Sequence, residues 1–226
     1  MVRLVLFDLD GTLIEFNYNY SQAKKLIIGK LIEMGVEKSI LSESKPASVN
    51  LEEAIAFMRN KGLNEDQLRA LRRKVYETIE PLELEAAEKP ILKNGIIELV
   101  EWLREKGIDM AVCTNNCRKA SKIILEKTNL KIFFKYVFTR DDVDRIKPFP
   151  DLILKACNAI GTQPDNTAHV GDSPVDIMAA REAGVVPIGI VSSLWGIEKL
   201  KEAGAEYIAS NTYELKIILS SLIGFF

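Results

Sequence analysis

One β-rich run, residues 2–7, is separated from a regular strand–helix alternation that begins after Pro90 by roughly 75 residues of helical periodicity without a strand pattern. Run 2–7 ends in Asp8-Leu9-Asp10-Gly11-Thr12, where Asp-Gly marks a turn, and its unbroken apolar character suits a strand buried on both faces of a parallel sheet. Beyond Pro90, strands are expected at 108–113, 136–139, 167–170, 187–191 and 207–209. Helices are expected at 96–106, 118–127, 152–160 and 175–183, and after each of the last two strands. Repeated βα units require a parallel sheet with helices wound on both faces. The fold class expected is therefore α/β, a doubly wound, Rossmann-like core formed by 1–14 and 90–226, with an all-helical cap inserted at 15–89. Within the insert, apolar residues recur at helical spacing over 20–34, 51–59 and 66–79.

Composition narrows the function. Thirty Lys plus Arg against 32 Asp plus Glu give a net charge of −2, so there is no basic footprint and nucleic acid is not an expected partner. Three cysteines, Cys113, Cys117 and Cys157, read as reduced thiols, and with one histidine they cannot complete a zinc site. The apolar run before Asp8 is too brief for a signal peptide, and the apolar stretch 215–226, interrupted by Lys216, is too short to span a bilayer. A cytoplasmic protein without a membrane partner is expected. The stretch 215–226 reads as a terminal helix docked on the core, with a homodimer contact as the alternative.

In open parallel sheets ligands bind beyond the carboxyl ends of the strands. The polar residues expected there are Asp8 and Asp10, then Thr114-Asn115-Asn116, the loop Arg145-Ile146-Lys147-Pro148, and Gly171-Asp172-Ser173-Pro174-Val175-Asp176. Each has a plainer reading. Asp8 and Asp10 flank a turn, Thr114 and Asn115 could cap a helix, and Lys147 could be a solvated lysine. Ser173 with Asp176 makes a capping box, with proline at the first helical position.

Together they demand more. Two unit charges 4 Å apart repel by about 4 kcal/mol at an effective dielectric near 20, so four carboxylates at one sheet edge need more cation than Lys147 supplies. An oxygen-only donor set calls for a hard divalent ion, Mg²⁺. Asp8 and Asp10, two apart on an extended segment, face the same side and cannot both ionise freely. Such a pair divides naturally into a nucleophile and a general acid/base.

These segments, in this order, resemble the four motifs of the haloacid dehalogenase-like superfamily: Asp8-Leu9-Asp10-Gly11-Thr12, Thr114-Asn115, Lys147-Pro148-Phe149-Pro150-Asp151 and Gly171-Asp172-Ser173-Pro174-Val175-Asp176. The likeness spans nearly the whole chain. The helical insert falls where the family's type-1 cap does, as in its subfamily I members similar to phosphoglycolate phosphatase. The resemblance implies a phosphatase of a small phosphorylated metabolite. Asp8 would form an aspartyl-phosphate. Asp10 would protonate the leaving alcohol, then activate water, while its backbone carbonyl holds Mg²⁺. Thr114 and the Asn115 amide would bind phosphate oxygens, and Lys147 would neutralise the phosphoryl group and steady Asp8. Asp8, Asp10, Asp172 and Asp176 would form the metal pole, with Asp172 a ligand and Asp176 orienting it.

Other members of the superfamily are dehalogenases, phosphonatases and mutases. Dehalogenases and phosphonatases depart at the second aspartate, which Asp10 supplies here, and sugar phosphomutases often carry Val where this chain has Thr12. A phospho-acceptor or binding protein is the alternative outside enzymes. His169, inside a strand, reads as a packed, hydrogen-bonded core residue. Substrate choice is expected in the cap, with Asn17, Tyr18, Arg59 and Arg72 as candidate contacts and solvated helix faces as the competing reading of the arginines.

Overall fold

The structure, a computed structural model, describes residues 1–15 and 17–224. The chain divides into two compact units, Met1–Asn17 with Ala87–Phe226, and Tyr18–Ala86. The first holds a parallel sheet of β1 (Leu4–Phe7), β2 (Asp109–Cys113), β3 (Tyr136–Phe138), β4 (Thr167–Gly171), β5 (Val186–Ile190) and β6 (Tyr207–Ala209) in the order β3-β2-β1-β4-β5-β6. This is a doubly wound α/β sheet whose order reverses beside β1, so the first strand of the sequence lies near the middle of the sheet.

Register decides where the strands stop. Phe7 is level with Val112 of β2 and with Val170 of β4. The next residues on all three strands, Asp8, Cys113 and Gly171, therefore reach the carboxyl edge together. The Asp8 amide extends the ladder, donating to Val170 O at 2.9 Å, as the Thr114 amide does to Phe138 O at 3.0 Å.

Side-chain alternation builds the core. Leu4 and Leu6 of β1 and Ala111 and Cys113 of β2 share one face, where they bury Leu152, Ile153 and Ala156 of α6 (Asp151–Ile160) and Ala179, Ala180 and Ala183 of α7 (Pro174–Ala183). In chain order the other helices of this unit are α4 (Ile96–Glu105), α5 (Arg118–Lys127), α8 (Ile197–Ala203) and α9 (Thr212–Ile223). The observed α9 covers most of the helix expected at 215–226, of which Phe225 and Phe226 lie outside the described residues.

The second unit consists of α1 (Tyr20–Glu33), α2 (Ala47–Asn60) and α3 (Glu65–Ala87, its last residue in the first unit), around a core of Ile27, Leu31, Leu51, Ile55, Leu68, Leu71 and Val75. Its bounds compare with the 15–89 expected from sequence. Helix α3 runs eight residues past the expected end at Ile79, through Pro81. Proline removes one backbone donor, but Pro81 is exposed while Ile79 and Leu82 stay packed in the helical core, so the apolar face continues across it. Of the two arginines, Arg59 fits the solvated reading and Arg72 departs from it. Arg59 pairs on the surface with Glu65, whereas Arg72 forms a two-armed, largely buried pair with Glu52. Among the described residues, no helix is long and apolar enough to cross a membrane.

Candidate active site

Lys147 is the centre of the carboxyl edge. Its side chain is 2% exposed, and its ammonium donates to Asp8 Oδ1 at 2.7 Å, to Cys113 O at 2.8 Å and to Asp176 Oδ1. The loop that delivers it is fixed at the backbone: Lys147 N donates to Asn115 Oδ1 and Asn115 Nδ2 donates to Lys147 O, both at 3.0 Å. Beside it, Arg145 makes a two-armed pair with Asp151 in the first turn of α6. All three donors of the ammonium are used, so it serves two carboxylates and a strand end at once.

Asp176 sits at the start of α7. Its Oδ2 accepts from the Ser173 backbone N–H and hydroxyl as half of a capping box, while its Oδ1 faces Lys147 and lies 3.4 Å from His169 Nε2. A Cβ at Gly171 would fall 2.2 Å from Asp176 Cβ, so only glycine allows the strand end to lie this close to the helix. At Gly11, with φ +75°, an added Cβ would fall 2.2 Å from Asp172 Oδ2, so the turn after Asp10 packs its bare backbone against that carboxylate. Asp10 accepts a hydrogen bond from Asn116 Nδ2.

Burial and charge set the protonation preferences. Burial pushes Asp8 up to about 7, against the pull of the Lys147 ammonium. Burial likewise raises Asp10 to about 6, opposed by the Asn116 hydrogen bond. Asp172 is raised well above the ordinary carboxylate range by burial and then by the Asp176 and Asp8 charges. Burial works the same way on Asp176, but Lys147, with His169, outweighs it and holds the carboxyl well below its usual value. At this edge Lys147 holds Asp176 ionised, while burial pushes Asp8, Asp10 and Asp172 toward their protonated forms.

Among the described residues, Asp8, Asp172 and Asp176 bring one carboxylate oxygen each to within 4.8 Å of one another, all buried. Among the described residues, Asp172 Oδ2 is buried with no hydrogen-bond partner. Such an oxygen is costly unless something cationic meets it, so this donor set fits a hard divalent ion.

Residues 2–184 match the family described as haloacid dehalogenase-like hydrolase. The chain belongs to the haloacid dehalogenase-like hydrolases. Pyrophosphatase PpaX of Anoxybacillus flavithermus is 30% identical over 231 residues, which cover 96% of this chain and 97% of the relative. Phosphoglycolate phosphatase of Aquifex aeolicus is 28% identical over 228 residues, covering 98% and 99%. Among solved structures, a hydrolase from Pseudomonas syringae superposes with a TM-score of 0.67 at 25% identity, covering 97% of this chain and 98% of that one. The chain is an enzyme of this family.

Of the residues predicted from this enzyme's sequence, Asp8, Lys147 and Asp176 are in direct contact, and Asp172 joins Asp8 and Asp176 in the acidic cluster. The Asp10 carboxylate is not in that cluster and turns to Asn116 instead. Thr114 is buried, and its Oγ1 accepts from the Asn116 amide at 3.2 Å. Neither Thr114 nor Asn115 caps a helix. The N-cap of α5 is Cys117, whose buried sulfur accepts from the Ala120 amide, while the Asn115 side chain is taken up by the Lys147 backbone. His169 is fully buried, as read from sequence, but it also faces Asp176. Sequence reasoning missed Asn116 as a partner of Asp10. Its place in the Thr114-Asn115-Asn116 strand end was the available signal, but nothing in the spacing says which of two adjacent asparagines faces the sheet edge.

Proposed function

We propose that the protein is a Mg²⁺-assisted phosphatase of a small phosphorylated metabolite, acting through an aspartyl-phosphate on Asp8, with Met1–Asn17 and Ala87–Phe226 as the catalytic unit and the helical insert selecting the substrate. One observation carries this reading: two carboxylates two residues apart have different partners, Asp8 an ammonium and Asp10 an amide. That difference is what a nucleophile and an acid/base need. The names of the relatives, a pyrophosphatase and a phosphoglycolate phosphatase, support the substrate class.

In the first step the Asp8 carboxylate attacks phosphorus and the bond to the leaving oxygen breaks. Burial favours the protonated form of Asp10, which hands that oxygen its proton, while the Lys147 ammonium draws Asp8 toward the ionised form a nucleophile needs. In the second step Asp10, now ionised, takes a proton from water as the water oxygen attacks phosphorus, which frees Asp8 and releases phosphate. Lys147 holds Asp8 in place and offsets phosphoryl charge. The Thr114 hydroxyl, which already accepts from Asn116, keeps its proton to donate to a phosphate oxygen, and the Asn115 backbone N–H has the same task. Asp8, Asp172 and the Asp10 backbone carbonyl would hold Mg²⁺, oriented by Asp176, and when bound it supplies charge neutralisation of the phosphoryl oxygens.

The test is inorganic phosphate release from p-nitrophenyl phosphate, pyrophosphate, phosphoglycolate and a panel of phosphorylated metabolites. Each is measured with Mg²⁺, with EDTA and with Asp8→Asn. Turnover that disappears in both controls is expected. No release from any ester by folded protein in Mg²⁺ would overturn the reading.

A further inference from the structure

Lys93 lies just ahead of α4, in a segment tied to the turn after β1: Lys93 N donates to Leu13 O at 3.1 Å, and Glu15 N donates to Ile91 O at 2.7 Å. Its half-buried side chain leaves the surface. The ammonium donates to Gly11 O at 2.6 Å and to Val191 O, the residue after β5, at 3.1 Å. Both carbonyls belong to segments that approach Asp172. Gly11 is the residue whose bare α-carbon packs against Asp172 Oδ2. Val191 precedes Ser192, whose hydroxyl accepts from the Leu194 and Trp195 amides at 3.3 and 3.2 Å and faces Asp172 with its own proton. Asp172 therefore sits between two backbone segments that one ammonium joins, while Lys147 is fully engaged elsewhere.

We propose that Lys93 is a positioning residue of the active site, tying the Asp10–Thr12 turn to the Val191–Ser192 strand end so that Asp172 is held in one place for the divalent ion. The proposal rests on the reading of the edge as a metal-assisted phosphatase site. Lys93 reaches neither nucleophile nor acid/base. It acts on the backbone that frames Asp172; burial lowers its pKa, and the Asp172 and Glu15 charges oppose that and favour its charged form. Partners that orient a metal ligand typically change metal affinity 10–100-fold when removed.

The experiment is thermal melting of the full chain in EDTA and across a Mg²⁺ series, for wild type, Lys93→Met, Lys93→Arg, Ser192→Ala and Asp172→Asn, with kcat and KM measured on the best ester. Lys93→Met is expected to raise the Mg²⁺ concentration at half-maximal stabilisation by about tenfold. It is also expected to lower kcat at saturating Mg²⁺ with KM little changed. Lys93→Arg, which keeps charge and donors, should recover most of both losses, and Ser192→Ala should shift the Mg²⁺ midpoint in the same direction. A Lys93→Met protein with the wild-type Mg²⁺ midpoint, a tighter midpoint, or a loss of melting temperature equal in EDTA and Mg²⁺ would overturn the proposal. If Lys93→Met does not fold, Lys93→Gln, which keeps an amide donor, takes its place under the same criteria. Asp172→Asn separates the two ideas: Mg²⁺ stabilisation that survives it removes the metal site itself, whereas its loss alongside an unaffected Lys93→Met removes only the role of Lys93.

Discussion

The Lys147 ammonium and the Asp176 carboxylate meet as an ion pair with each side chain 2% exposed, and the same ammonium is 2.7 Å from Asp8. Burial alone would lower the lysine pKa, but the two carboxylates overcome it and hold the group charged. Asp176 is thus the fixed counter-ion that lets Lys147 stay protonated when the charge on Asp8 changes during a reaction.

Lys147→Met leaves two carboxylates buried without their cation. Breaking a buried pair in this way costs about 3–5 kcal/mol, so a large drop in melting temperature is expected. Loss of a preorganised charge at the reacting group lowers turnover by about 10²–10³-fold. Calorimetry and phosphate release check both, and a variant as stable as wild type would show that the pair contributes little.

Asp8 makes the stability of the metal-free protein depend on pH. With its pKa raised from 3.8 to about 7, the folded chain keeps a proton that the unfolded chain has lost, so stability falls as pH rises through that window. Asp172 acts in the same direction. His169, held below 6.5 chiefly by burial, acts oppositely, its contribution being lost as pH falls. Melting in EDTA across this window should therefore show a smaller decline in Asp8→Asn than in wild type, and equal declines would contradict the assignment.

Asn116→Ala removes the hydrogen bond that holds the Asp10 pKa down, so the pKa rises above about 6. An acid that must be protonated in the free enzyme sets the alkaline limb of kcat/KM. That limb should move to higher pH in Asn116→Ala, with rates read on one ester across the pH range. A limb that stays in place would remove Asn116 from the chemistry.

Gly11→Ala strains a position with φ +75° and drives a methyl group into Asp172 Oδ2. A non-glycine residue held in that region costs on the order of 1–3 kcal/mol, and the carboxylate must also move. Expected are a lower melting temperature and a higher Mg²⁺ requirement. Unchanged Mg²⁺ dependence would mean that Asp172 relaxes freely.

Where sequence and structure agree, a local signal sufficed. The helix expected at 118–127 is α5, Arg118–Lys127, and the strand at 207–209 is β6, because apolar periodicity and flanking turn residues mark both. Asp8, Thr114, Lys147 and Asp172 were legible as strand-end and loop polar residues followed by turns. The apolar repeat read over 66–79 ends at Ile79, whereas α3 continues through Pro81 to Ala87, with Leu82 packed in the same helical core.

The sequence by itself determined the alternation that makes a parallel sheet and the acidic residues that end its strands. Tertiary structure decided which of them meet. Asn116 bonds Asp10 across 106 positions because the register of β1 beside β2 brings their ends level, and Lys93 reaches Val191 across 98 once its segment is bonded to Leu13 after β1. No local preference encodes those pairings. A side chain's neighbours across a sheet are fixed by the order and stagger of the strands, which exist only once the chain has folded.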